Sequence, residues 1–182
     1  MNQANRNLIL NTFLELRKVS TDSRNIIPGS IFFALKGASF NGNTYAQEAL
    51  KKGATFAVVD EEQYAIPENC ILVKDGLTAL QNLARDYRQR FHIPVIGLTG
   101  SNGKTTSKEL IAKTLSKRYQ THFTKGNFNN HIGVPLTLLD LEEKHEVAVI
   151  EMGANHQKEI EFLCSIAQPS HGPVSYTHLT LP

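Results

Sequence analysis

The sequence predicts an α/β protein in two parts: a small N-terminal α/β unit, then a unit built on a phosphate loop and a parallel sheet. Three observations predict it. Short β-branched and aromatic runs alternate with segments of helical period along the chain. The glycine-rich stretch Thr99-Gly100-Ser101-Asn102-Gly103-Lys104-Thr105-Thr106 lies between an apolar run and an amphipathic one, the setting a phosphate loop requires. Val147–Ile150 is continuously apolar, as in strands covered on both faces.

Each element follows from local pattern. The N-terminal stretch, interrupted by Asn, Thr and Glu, reads as a short amphipathic helix with Ile9, Leu10, Phe13, Leu14 and Leu16 on one broad face. Lys18–Asp22 is extended, and Pro28-Gly29 marks a turn. Ile31–Leu35 is a buried strand, and Asn41-Gly42-Asn43 a turn. Thr44–Lys52 is a helix with Tyr45, Ala46, Ala49 and Leu50 inward, stopped at Gly53. Phe56–Val59 and Cys70–Val73 are strands, and Leu77–Phe91 is a longer helix. The pattern then restarts, so the boundary is expected near His92. Ile93–Thr99 is a strand, Ser107–Tyr119 a helix with Leu110, Ile111, Thr114 and Leu115 inward, and Glu159–Ala167 another helix.

Composition sets limits. Of 182 residues, 41% are hydrophobic and 20% charged, the balance of a chain that buries a core. There are 19 Lys and Arg against 17 Asp and Glu, and neither part carries a basic arm, which argues against a nucleic-acid binder. Cys70 and Cys164 form no metal-ligand spacing and fit two free thiols in a reducing compartment. No apolar run reaches the length of a membrane span, and no signal-peptide core is evident, so a cytoplasmic protein is expected. The seven histidines show no metal-ligand spacing, and His122, His131, His145, His156 and His171 default to surface or helix-end roles.

The phosphate loop carries the strongest chemistry. Gly100 and Gly103 let the backbone bring its N–H groups onto phosphate oxygens, and the following helix N-terminus adds partial positive charge. Lys104 can pair with the β- and γ-phosphates, and Thr105 can offer its hydroxyl to Mg²⁺. The loop is a variant, because Leu98 stands where the general pattern has glycine. Three further segments have two readings each. Residues 126–139, rich in asparagine, either make turns or line a cleft. Glu151, directly after the apolar strand, is either a solvated strand end or a Mg²⁺ ligand. Thr21-Asp22-Ser23-Arg24 is either an Asx turn with a surface arginine or an anion clamp.

Taken in order, S-T-D-S-R (20–24), P-G-S-I-F-F-A-L-K-G (28–37), T-G-S-N-G-K-T-T (99–106), G-N-F-N-N-H-I-G-V-P-L-T-L-L (126–139) and E-M-G-A-N-H-Q-K-E-I (151–160) resemble the Mur ligase family of peptidoglycan synthesis. The resemblance implies a UDP-MurNAc-peptide-binding domain at 1–92, with Ser23, Arg24, Lys36 and Gly37 around the UDP-sugar. It implies the first part of a central ATP-binding domain at 93–172, incomplete here, with residues 99–106 on ATP, Thr105 and Glu151 on Mg²⁺, and Lys104, Asn130 and Glu151 in catalysis. The family's usual D-G-H is Asn41-Gly42-Asn43 in this chain. The activity implied is ATP-dependent amide formation, joining D-Ala-D-Ala to UDP-MurNAc-tripeptide through an acyl phosphate. No nucleic acid, no membrane and a monomeric full-length enzyme are implied with it. Residues 173–182 fit neither the α/β pattern nor the family and are expected to be an artefactual tail. For the 182-residue chain itself the alternative, a truncated and inactive fragment that only binds UDP-sugar or nucleotide, is the expected reading. A small stand-alone phosphate-loop kinase would leave residues 1–92 unexplained.

Overall fold

A computed structural model describes residues 3–100, 102–154 and 157–172, with 174–175 as backbone. The chain forms two compact units, Met1–Leu83 and Ala84–Pro182.

In the first unit, helix α1 (Gln3–Leu16) leads into strands β1 (Val19–Ser20) and β2 (Ile31–Phe33). Helix α2 (Ala46–Lys51), strands β3 (Phe56–Val59) and β4 (Cys70–Leu72) and the start of helix α3 (Gly76–Arg88) complete it. The sheet runs β1-β2-β3-β4 with every pair parallel. Alternation along β2 sorts its side chains between two faces. Phe32 joins Ala34, Ala46, Ala49, Ala54, Ala57 and Val59 in one cluster, while Ile31 and Phe33 point the other way and are fully buried. Helix α1 packs on β2 and β4 through Ile9 and Phe13; Leu10, Leu14 and Leu16, expected inward with them, are only partly covered. Tyr45, also expected inward, is 43% exposed. Gly42–Tyr45 is a 3-10 turn before α2, and its tighter winding rotates Tyr45 out of the helix's apolar face.

In the second unit, strand β5 (Val95–Gly100) is followed by helix α4 (Lys104–Leu115) and strand β6 (Thr121–Phe123). Helix α5 (Gly133–Leu139), strand β7 (Val147–Glu151), helix α6 (Glu159–Ala167) and strand β8 (Val174–Ser175) follow. The order is β6-β7-β5-β8, again parallel, with Leu98 opposite Glu151. This register explains the variant loop: Leu98 is still strand, buried at 2% exposure, and belongs to the core rather than to the turn.

The units divide inside α3, upstream of the boundary expected at His92. Residues from Arg85 onward are fastened to the second unit. Tyr87 donates its hydroxyl to Leu141 O at 2.6 Å, Arg88 Nε donates to Ala167 O at 3.1 Å, and Arg85 Nε to Ser165 O at 3.0 Å. Helix α4 starts at Lys104, ahead of the expected Ser107, and Leu110 is 62% exposed rather than inward. His122, expected at the surface, is buried with Nε2 2.7 Å from Thr137 O. The expected tail at 173–182 lies outside the described residues, except for the backbone of 174–175.

Candidate functional site

Two sites are built at the C-terminal ends of the two parallel sheets, where loops following the strands gather. In the second unit β5 delivers Gly100 to the loop, and Gly103 adopts φ 75° as the residue before α4. Only glycine enters that left-handed region at low cost. Lys104 folds back so that Nζ donates to Gly100 O. Thr106 and Asn102 are exposed, Thr99 is half-buried at the end of β5, and Ser101 lies outside the described residues.

Thr105, in the first turn of α4, points across the sheet edge to Glu151, the last residue of β7. Its Oγ1 donates to Glu151 Oε1 at 3.3 Å. Glu151 is not a solvated strand end: it is 1% exposed. Asn129 Nδ2 donates to the same Oε1 at 2.8 Å, and Thr124 Oγ1 accepts from the Glu151 backbone N–H at 2.9 Å. Oε2 is buried with no hydrogen-bond partner among the described residues. A buried carboxylate oxygen left open beside a threonine hydroxyl is suited to a hard divalent cation. Among the described residues no three His, Cys, Asp or Glu side chains converge. A cation there would depend on Glu151, Thr105 and phosphate oxygens, the usual way Mg²⁺ is held.

Asn130 is adjacent to this site but its side chain is occupied elsewhere. Oδ1 accepts from the Ile132 and Gly133 N–H groups at 3.0 and 2.8 Å and so caps α5. Asn129 is the asparagine that meets Glu151. Sequence reasoning missed it, and the doubled Asn129-Asn130 was the available signal. It also missed Lys108, 0% exposed on α4. The signal there was spacing: Lys108, Ala112 and Leu115 recur on one helical face.

In the first unit an open pocket of about 470 Å³ is lined by Thr21, Asp22, Ser23, Arg24, Phe32 and Tyr45, with Leu35, Phe40 and Gly42. The Asx-turn reading of the Asp22–Arg24 segment describes its geometry here. Asp22 Oδ1 accepts from the Arg24 backbone N–H at 2.9 Å, an Asx turn. The guanidinium also grips the carboxylate, Nε to Oδ1 at 2.9 Å and Nη2 to Oδ2 at 2.7 Å. Hydrogen bonding from Arg24 holds the Asp22 carboxyl at about 2. Arg24 is 87% exposed, so its other face is open to an anion.

Lys36 and Gly37 are not among the lining residues. Lys36 Nζ pairs with Asp60 at 3.0 Å and Glu61 at 3.6 Å, and hydrogen bonding to Asp60 raises its pKa. Gly37 turns tightly under Phe40. Asn43, read as a turn residue, is fully buried: Nδ2 donates to Asp60 Oδ1 at 2.7 Å and Oδ1 accepts from the Asp60 N–H at 2.9 Å. Burial works to raise the Asp60 pKa, but the Gly76 N–H, Lys36 and Asn43 outweigh it and hold it low.

Residues 15–88 match the model of the Mur ligase family catalytic domain, and residues 98–176 match that of the Mur ligase middle domain. The chain belongs to the Mur ligase family. The second Mur ligase match runs past Pro173, where the tail was expected to begin. The UDP-N-acetylmuramoyl-tripeptide–D-alanyl-D-alanine ligase of Synechocystis sp. is 43% identical over 164 residues, 89% of this chain and 36% of the relative. The crystal structure of MurF from Acinetobacter baumannii superposes with TM-score 0.81 at 38% identity, covering 87% of this chain and 35% of that one. MurF ligase from Thermotoga maritima, solved in complex with ADP, superposes with TM-score 0.77 at 34% identity, covering 86% and 36%. The chain thus spans about a third of the length of these Mur ligases. Among the described residues no helix is long and apolar enough to cross a membrane.

Proposed function

We propose that this chain supplies the nucleotide site and the UDP-sugar site of an ATP-dependent ligase that joins D-Ala-D-Ala to UDP-MurNAc-tripeptide. The observation that carries the reading is the meeting of Thr105 with a buried Glu151 at the mouth of a phosphate loop. The similarity to MurF ligases, one of them solved with ADP, supports it.

The loop's backbone N–H groups and the N-terminus of α4 receive phosphate oxygens. Lys104 turns from Gly100 O to the β- and γ-phosphates. Thr105 and Glu151 would hold Mg²⁺, with Asn129 orienting the carboxylate through Oε1 and Thr124 fixing the Glu151 backbone N–H. When bound, Mg²⁺ would supply positive charge that offsets repulsion between the acceptor carboxylate and the polyphosphate. Positioning and charge stabilisation then carry the phosphoryl transfer that makes the acyl phosphate. In the first unit Ser23 and Arg24 bind the diphosphate of the UDP-sugar, with the Asp22 contact fixing the guanidinium plane. Cytoplasm, where ATP is the phosphoryl donor, is the compartment this reading requires.

The test is ligand binding by the purified chain, read as melting temperature, beside phosphate release from ATP with each substrate omitted in turn. Release that needs both UDP-MurNAc-tripeptide and D-Ala-D-Ala would show the chain to be more than a binding fragment. ADP–Mg²⁺ and UDP-MurNAc-tripeptide should each raise the melting temperature, and Lys104→Ala should abolish only the first shift. Transfer of phosphate to a small metabolite with neither substrate present would overturn the reading.

A further inference from the structure

Helix α4 buries a charge for which phosphate binding gives no reason. Lys108 is 0% exposed, so it does not reach a ligand in the open loop. It lies one turn beyond Lys104 and three residues beyond Thr105, on the same face of the helix. Its Nζ is 3.1 Å from Glu109 Oε1, 3.4 Å from Gly126 O and 3.9 Å from Glu151 Oε2. The last distance is an ionic contact, too long for a hydrogen bond. It faces the one Glu151 oxygen that has no hydrogen-bond partner among the described residues. The buried ammonium is therefore satisfied by Glu109 and Gly126. Toward Glu151 it contributes charge alone and leaves the oxygen's lone pairs open.

We propose that Lys108 is the internal counter-ion of the cation site, balancing Glu151 before any cation binds and opposing a divalent cation until phosphate oxygens arrive with it. The proposal rests on the reading of Glu151 and Thr105 as cation ligands. A fixed ammonium this close to a ligand oxygen repels an incoming dication, because charges in a buried setting are poorly screened. The negative charge of a bound nucleotide restores the balance. Cation and nucleotide then favour each other's binding, and the coupling is reciprocal. Lys108 is a positioning residue in this scheme and touches neither ligand.

The experiment is Mn²⁺ binding followed by electron paramagnetic resonance, with and without ADP, on the unaltered chain, Lys108→Met, Lys108→Arg and Glu151→Gln. Lys108→Met should bind Mn²⁺ without ADP about tenfold or more tightly than the unaltered chain, and added ADP should improve its binding less. Lys108→Arg, which keeps the charge, should behave like the unaltered chain. Where Lys108→Met does not fold, Lys108→Gln, which keeps a donor for Gly126 O, replaces it. Binding in the neutral variant that is no tighter, with an unchanged circular dichroism spectrum, overturns the proposal. Glu151→Gln binding Mn²⁺ as well as the unaltered chain overturns the cation site itself, and the proposal with it.

Discussion

Asn129 and Glu151 lock together two segments that are distant in sequence. The Asn129 side chain donates to Glu151 Oε1 at 2.8 Å, and the Asn129 carbonyl takes the N–H of Gly153, two residues beyond Glu151. The exit of β7 and the asparagine-rich loop therefore hold one another in place.

Replacing Asn129 by alanine should weaken ADP–Mg²⁺ binding about tenfold, the worth of one hydrogen bond to a charged group. Asn130→Ala should instead lower stability by about 1 kcal/mol through loss of the α5 cap. Titration calorimetry and urea unfolding of both variants separate the roles. Equal losses of nucleotide affinity would place Asn130 beside Asn129 in nucleotide binding.

The pair formed by Asp22 and Arg24 gives a pH signature. The Asp22 carboxyl sits at about 2, below its ordinary 3.8, so its contribution to stability is present above 3.8 and lost as pH falls toward 2. Both side chains are open to water, which keeps that contribution small. Arg24→Ala should move the Asp22 midpoint back toward 3.8 in a carboxyl-carbon NMR titration, and should remove the melting shift caused by UDP-MurNAc-tripeptide. A midpoint still near 2 would mean the turn's backbone N–H alone holds the carboxylate.

His122 should make the second unit sensitive to mild acid. Burial pushes its pKa below the ordinary 6.5, as it does for His145, whose ring lies 4.9 Å away. The unfolded chain binds protons first, so this stability is present above 6.5 and is lost as pH falls through the folded value. His122→Gln keeps a donor for Thr137 O without titrating. Its melting temperature should fall less between about pH 7 and 5 than that of the unaltered chain. Equal slopes would assign the effect to His145 or to carboxylates.

Gly42 has no room for a side chain. A Cβ there would lie 2.2 Å from Leu35 O and 2.8 Å from the Ala34 carbonyl carbon, both backbone atoms. Gly42→Ala should cost about 1–3 kcal/mol by forcing the loop off β2, and should distort the pocket that Gly42 lines. Urea unfolding measures the first effect and UDP-MurNAc-tripeptide affinity the second. An unchanged midpoint would show that the loop can shift freely.

The order of helices and strands was legible because apolar periodicity reports burial directly. Short elements were not. Strand β6 has three residues, too few to show an alternation. Helix α5 begins Gly-Val-Pro, which reads as a breaker. Pro135 sits in its first turn, where no N–H is needed, and nearly every residue of the helix is buried. At the site, Lys104, Thr105 and Glu151 stood out by chemistry and position. Asn129 and Lys108 did not, because their roles depend on which neighbour the side chain meets across the sheet edge. Leu110 misled for a related reason: apolarity suggested the inward face, but the face of α4 that is buried carries Lys108 and Ala112.

Strand β7 is buried along its whole length and ends on the carboxylate that the site depends on. Side chains alternate along a strand, so deleting or adding one residue between Val147 and Ile150 would swing that carboxylate to the opposite face of the sheet. The exposed turn upstream at Glu142–Lys144 can take a change in chain length that β7 cannot. That turn is the natural place to insert a reporter or an affinity tag, and β7 itself leaves a protein engineer only substitutions.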